Sequence, residues 1–373
     1  MIASASPVRD RLRFETTSDL AALREDWSRL AARSDNVFAT YEWLATWWEH
    51  FGRRRPLLLT TVHDDGRLVA ILPLYVATTR PARVLRFLGH GATDQLGPIC
   101  DAADRDLARR ALAALVAEQL HRRGLVIADE LPASDEPLPG SRLLARSPTR
   151  VVPLARTGTT GEAWLAGRSP KLRAQLARDG RRLAEAGTVT HRTTTDPAGV
   201  GSDLDLLVDL HRRRWDPAGG SRSFVGREAF HHDVARQLLD RGWLRLRFVE
   251  VDGEAVAGAY SFRFGDVESN YQSGRDPRWD RCSVGLLLHR HAIDACADEG
   301  VAEYRFLRGD EDYKRRLADE VVEQESVAWA RGLLGTATCT AVAHLPRLTR
   351  TQARWVPASL AWGTGGTPRW GAP

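Results

Sequence analysis

One structural plan is written twice in this chain, and few folds accommodate such a duplication. SDLAALREDWSRL (18–30) matches SDLDLLVDLHRRRW (202–215) in its start, its apolar spacing and its late tryptophan. Ser18 or Asp19, and Ser202 or Asp203, are expected to cap these helices by accepting from free first-turn amides. A hairpin follows in each copy: LLLTTVHDDGRLVAILPLYVA (57–77) lines up with LRLRFVEVDGEAVAGAYSFRF (244–264). Each pairs two β-rich runs across an Asp-Gly, Asp65-Gly66 and Asp252-Gly253, which tolerates the positive φ values of a type I′ turn. Last, LARRALAALVAEQLHRRG–LVIADEL (107–131) matches VGLLLHRHAIDACADEG–VAEYRFL (284–307), with Gly124 and Gly300 expected in left-handed positions at helix ends. The shared order predicts an α/β (α+β) protein of two similar domains, each a mixed, largely antiparallel sheet flanked by helices.

At 373 residues the chain is too long for one ordinary core. The expected domains are residues 12–150 and 151–345, followed by an irregular tail, 346–373, rich in Gly, Pro and Trp. DELPASDEPLPGSRLLARSPTR (129–150) reads as a loop leading to a link near residue 150. The second copy carries an addition, SPKLRAQLARDGRRLAEAG (169–187), with the pattern of a basic amphipathic helix.

Of 53 basic residues only Lys171 and Lys314 are lysine, and both fall in the second copy. A lysine kept where arginine prevails points to a site that needs a compact ammonium. The net charge of +5 permits a polyanionic ligand such as a nucleotide or tRNA. Cys100, Cys282, Cys296 and Cys339 are scattered, and His231, His232, His289 and His291 form no ligand spacing with carboxylates. No metal and no disulfide framework are expected, which suits a reducing cytoplasm. No segment reads as a secretory leader or a membrane span.

SPKLR, LHRRRW (210–215), GEAVAGAYSF (253–262), YQSGRDPRWDRCSVGLLLHRHAI (271–293) and EYRFLRGDEDYKRR (303–316) resemble the GNAT acyltransferase superfamily. More narrowly they are similar to its tandem-domain branch, the CelD/BioF2-like proteins, related to Fem-type aminoacyl transferases; the resemblance spans roughly residues 12–340. It implies transfer of an acyl group from a thioester, acyl-CoA of acetyl or longer chain, to a small-molecule amine, with polysaccharide or cell-envelope biosynthesis as a setting. It implies phosphate binding at Arg281, Ser283, Val284 and Gly285, where a helix start offers free amides. The usual signature has Arg or Gln, two residues, Gly, one residue, then Gly or Ala; this chain has one glycine and a different spacing. Tyr313 is the expected acid toward the leaving thiolate, Lys314 a stabiliser of charge at the carbonyl, and Asp310 an orienting group. Glu268, like Glu250, is a candidate base. Arg214, Trp215, Tyr271 and Lys171 are assigned to substrate. Two other functions stay open: an aminoacyl-tRNA-dependent transferase, which alone would bring tRNA as partner, and a non-catalytic ligand-binding scaffold. DNA is not an expected partner.

Overall fold

The structure, a computed structural model, describes residues 12–79, 82–120, 124–154, 160–216, 219–221, 223–332, 337 and 339. The chain opens with β1 (Leu12–Thr17), α1 (Arg24–Ala31), α2 (Tyr41–Trp47), β2 (Leu57–Asp64), β3 (Arg67–Thr78), β4 (Val84–Phe87) and β5 (Ile99–Cys100). It continues through α3 (Arg105–Gln119), β6 (Gly124–Pro132), β7 (Arg142–Pro153), α4 (Gly161–Ala166), α5 (Pro170–Ala186), β8 (Val189–Thr193) and α6 (Val200–Trp215). Then come α7 (Glu228–Asp240), β9 (Leu244–Val251), β10 (Glu254–Phe264), β11 (Val267–Arg275), α8 (Val284–Asp298), β12 (Glu303–Arg308), α9 (Asp312–Leu317) and β13 (Glu320–Arg331).

Two compact units share this chain. The first comprises Met1–Leu23, Gly52–Arg146 and Glu325–Pro373, and the second Arg24–Phe51 and Ser147–Gln324. The expected boundary near residue 150 falls inside β7, because most of 129–150 is strand rather than loop. The segment 24–51 also belongs to the second unit, although it precedes the first hairpin. Its aromatic residues explain this: Trp43 packs on Phe230 at 5.4 Å and Phe262 at 5.4 Å, and Phe38 lies 5.9 Å from Tyr271. Burying rings of this size dominates the local energetics. The tail 346–373 lies outside the described residues.

Each unit repeats one connection. In the first, β2, β3 and β4 form an antiparallel run and β4 pairs parallel with β6 across the α3 crossover. In the second, β9, β10 and β11 do the same and β11 pairs parallel with β12 across α8, with β8 and β7 at the flanks. Both Asp-Gly turns take positive φ at both residues, 50° and 82° at Asp65-Gly66 and 50° and 81° at Asp252-Gly253, as a type I′ turn requires. The helix ends differ from expectation in part. Gly300 is left-handed (φ 70°) after α8, and the Val301 amide donates to the Cys296 carbonyl, closing the helix. Gly124 instead starts β6. Asp19 accepts from the Ala22 amide as expected, whereas α6 begins at Val200, so Ser202 and Asp203 lie inside it. Asp203 is held by Arg192 and Thr194.

Two departures from regular pairing shape the second unit. β11 pairs with β12 only at Val267, Glu268 and Ser269, leaving its last six residues without that neighbour. At the same level β12 carries a bulge against β7, with Leu307 at φ 53°. A bulge adds one residue to one strand and bends it, so β12 turns away and the sheet opens. α6 then lies so close to β11 that a Cβ on Gly274 would sit 2.3 Å from the His211 nitrogen and 2.5 Å from the Leu210 carbonyl carbon. Only glycine fits there.

Gly274→Ala should therefore cost about 3 kcal/mol or more, since both clashing atoms are backbone. Gly300→Ala, which meets open space and suffers only its left-handed φ, should cost about 1–2 kcal/mol. Urea unfolding of the two variants checks the order.

Candidate functional site

The opening between β11 and β12 holds a cavity of about 360 Å³, and every residue lining it comes from the second unit. Ser273, Gly274 and Arg275 bring the free end of β11, Ser283, Gly285 and Leu286 the start of α8, and Tyr313 and Arg316 come from α9. Arg214 enters from α6 and Gln175 from α5. Local sequence places these carriers. Ser169 accepts from the Leu172 amide and Pro170 occupies the first turn, so α5 starts where read. Its Leu172, Leu176 and Leu183 are buried, leaving Lys171, Arg173, Arg178, Arg181 and Arg182 exposed.

The start of α8 is built differently from the expectation. Ser283 adopts φ 47° and ψ 41°, and its side chain makes no cap hydrogen bond. Its hydroxyl accepts instead from Gln175 Nε2 at 3.1 Å, and Arg316 donates to Gln175 Oε1 at 2.5 Å. The serine side chain thus takes no first-turn amide, while its carbonyl accepts from the Leu286 amide at 2.8 Å; the Gly285 amide, with the helix dipole, favours an anion. Gly285 lines the cavity, whereas Val284 is fully buried beneath the helix. Arg281 is exposed, and its carbonyl accepts from Arg182. Besides Arg214, the basic side chains at the cavity are Arg275, paired with Asp280 at 3.2 Å, and Arg316.

Deeper in, Tyr313 stacks on His289 with ring centroids 5.1 Å apart and an interplanar angle of 12°. Burial pushes the Tyr313 hydroxyl up to about 12, against the opposing pull of Arg214 and of hydrogen bonds from Arg214 and Ser273. His289 is held down to about 3 by burial and by the cations Arg214 and Lys314, so it is neutral. Its Nδ1 lies 3.1 Å from the hydroxyl of the fully buried Tyr304. His211, also buried and lowered to about 4, meets the Ser273 carbonyl through Nδ1 at 3.1 Å. A carbonyl only accepts, so this Nδ1 carries the hydrogen.

The remaining expectations divide. Arg214 and Tyr313 reach the cavity together. Lys314 does not line it: 4% exposed, its ammonium donates to the Arg308 carbonyl at 2.5 Å and pairs with Glu311 at 3.0 Å, fastening the turn between β12 and α9. Asp310 pairs with Arg150 at 2.8 Å and Arg315 at 2.6 Å, which lowers its pKa, and so it is engaged away from the cavity. Glu268 is fully buried and grips Arg247 with both carboxylate oxygens. Trp215 lies under Arg214, its ring 4.9 Å from the guanidinium, and Tyr271 is buried among Phe38, Trp43 and Tyr260. Lys171 stays on the exposed face of α5. Sequence reasoning missed Gln175, Ser273, Gly274, Arg275, His289 and Arg316 as cavity residues. Gly274 alone left a signal, as a glycine within a strand pattern.

Residues 170–315 match the family of acetyltransferase (GNAT) domains. No curated protein matches the chain by sequence. Among solved structures, FemX is similar over 88% of this chain and 100% of its own, with a TM-score of 0.62 and 10% identity. The C-terminal domain of a putative lysylphosphatidylglycerol synthetase from Agrobacterium fabrum covers 88% of this chain and 97% of its own, with a TM-score of 0.53 and 10% identity. A conserved protein of unknown function from Bacteroides thetaiotaomicron covers 85% and 100%, also at 0.53 and 10%. At such identity these likenesses speak for the fold. Among the described residues no helix is long and apolar enough to cross a membrane, and no group of His, Cys, Asp and Glu is arranged to hold a metal.

Two outcomes are expected. His211, His231, His289 and His291 all titrate at about 3 to 4 in the fold against about 6.5 in the unfolded chain. Between those values the unfolded chain binds more protons, so stability falls as pH drops from about 6.5 toward 3 and is fully present above. Urea midpoints across that range should show this slope, and His289→Gln should flatten it. Lys314→Met should lower the thermal midpoint, and Lys314→Arg should do the same, because Nζ already lies 2.9 Å from where a Gly309 Cβ would sit. Calorimetry of both variants checks it.

Proposed function

We propose that the second unit transfers an acyl group from a thioester of the acyl-CoA type to a small-molecule amine. The single observation that carries this reading is the opened pair β11–β12, with the start of α8 at one side and Tyr313 at the other. The residues present suit such a donor: Arg275, Arg316 and the start of α8 would receive its phosphates, and the free end of β11 would lie beside the thioester.

In this reading the amine nitrogen attacks the thioester carbonyl carbon, the C–N bond forms and the C–S bond breaks. Tyr313, at about 12, is far less acidic than an ordinary thiol at about 8.5. It therefore does not surrender its proton to sulfur. It donates a hydrogen bond that stabilises the departing thiolate, and the proton released from nitrogen then settles on sulfur. Glu268 is engaged with Arg247 and Asp310 with Arg150 and Arg315, whereas the neutral imidazole of His289 lines the cavity. Ser273 and Arg214 hold the Tyr313 hydroxyl in place. The likeness to CelD/BioF2-like proteins, with an envelope or polysaccharide amine as acceptor, belongs to this same proposal.

A second reading has its own support: the exposed basic face of α5 and the fold likeness to FemX favour an aminoacyl-tRNA donor. A tRNA gel shift separates the two, because several phosphate contacts impose a steep salt dependence.

Titration with acetyl-CoA and longer acyl-CoAs should give saturable binding, and its absence for every thioester overturns the first reading. Tyr313→Phe should lower kcat by about 10²-fold without weakening donor binding, measured by thiol release.

A further inference from the structure

The three consecutive arginines of α6 come to different ends. Arg212 pairs with Glu228 at 3.4 Å, and Arg213 pairs with Asp209 at 2.6 Å and Asp276 at 2.9 Å. Arg214 turns into the cavity. There its Nη1 donates to the Ser273 hydroxyl at 3.0 Å and approaches the Ser273 carbonyl at 3.4 Å. Its guanidinium lies 4.9 Å from the Trp215 ring and 5.7 Å from the Tyr313 ring. Among the described residues no carboxylate pairs with it, whereas Arg275 at the same cavity has Asp280.

A half-buried guanidinium without a counter-charge is costly. This one carries five donors in a rigid fork, and its bonds to a neutral serine do not neutralise it. Its charge acts on its surroundings, lowering His211 and His289 and opposing the rise of Tyr313. A fold that gives anionic partners to Arg212 and Arg213 but none to the one facing the cavity leaves that cation for a ligand.

We propose that Arg214 sets the substrate class: it binds a carboxylate carried by one of the two substrates, beside Tyr313. The inference rests on the acyl-transfer reading of the cavity and narrows it. A carboxylate fits better than a further phosphate because the start of α8, with Arg275 and Arg316, already offers the phosphate site, and a planar fork flanked by two rings suits a planar anion. Two sources carry this chemistry, a dicarboxylic acyl group on the thioester or an amino acid as the acceptor.

Calorimetric titration distinguishes them. Succinyl-CoA is compared with acetyl-CoA, and, with CoA present, alanine is compared with alaninamide. The wild type should prefer the carboxylate member of one pair by about tenfold or more, the scale of a charge-assisted bidentate bond. Arg214→Gln should abolish that preference while retaining acetyl-CoA binding, and Arg214→Lys should keep part of it. A preference in the first pair assigns the carboxylate to the acyl group, and in the second to the acceptor. No preference in either pair, or a preference that survives in Arg214→Gln, overturns the proposal. If no CoA compound binds, the donor reading fails. Alanine against alaninamide, and succinate against succinamate, titrated on the protein alone, then still decide the role of Arg214. Should Arg214→Gln fail to fold, shown by its circular dichroism, the wild-type preference and its partial reduction in Arg214→Lys decide, and an unreduced preference in Arg214→Lys overturns the proposal.

Discussion

Backbone groups that leave a sheet must find other partners, and β11 leaves β12 after three paired residues. Much of the second unit follows from that demand. The Ser273 carbonyl, deprived of a strand neighbour, takes the His211 imidazole and approaches Arg214. That draws α6 onto the strand, which in turn requires Gly274. With α6 seated, Arg214 is delivered to the same place as Tyr313, and the gap becomes a lined cavity rather than a defect.

The chemistry is set by neutrality as much as by charge. Burial keeps His211 and His289 unprotonated and Tyr313 protonated across the physiological range. These groups thus offer hydrogen bonds of fixed sense, while net charge is confined to arginines. The buried Arg247–Glu268 pair belongs to the same economy. Burial alone disfavours the Arg247 cation, and Glu268 outweighs it and raises its pKa. A carboxylate so engaged supports the sheet and is not at liberty to act as a base.

The repeat, both Asp-Gly turns and the start of α5 were legible because each depends on neighbours in sequence. Ser169-Pro170 is a cap and a first turn whatever packs above it. That Ser283 makes no cap hydrogen bond was not legible, because its left-handed backbone follows a 3₁₀ turn and its hydroxyl is taken by Gln175, more than a hundred residues earlier. The scarcity of lysine drew attention to Lys314, and the ammonium meets the Arg308 carbonyl and Glu311 instead of the cavity. Composition reports that a small cation fits and not what it fits against. Tyr313 and Arg214 were legible through the family resemblance. His289 was not, since its place depends on Tyr304 and Tyr313 closing around it.

The placement of α1 and α2 bears on how the protein is made. Trp43 leaves the ribosome early, but its partners Phe230, Phe262 and Tyr271 emerge only after some two hundred further residues. Until then Trp43 has Phe38 of its own segment against it at 4.8 Å but not these later rings, a state prone to aggregation and to capture by holding chaperones. Contacts so distant along the chain are also slow to close. The second unit is therefore completed by a segment made well before most of it, and a truncated message that spares residues 151–324 would still lack a wall of that core.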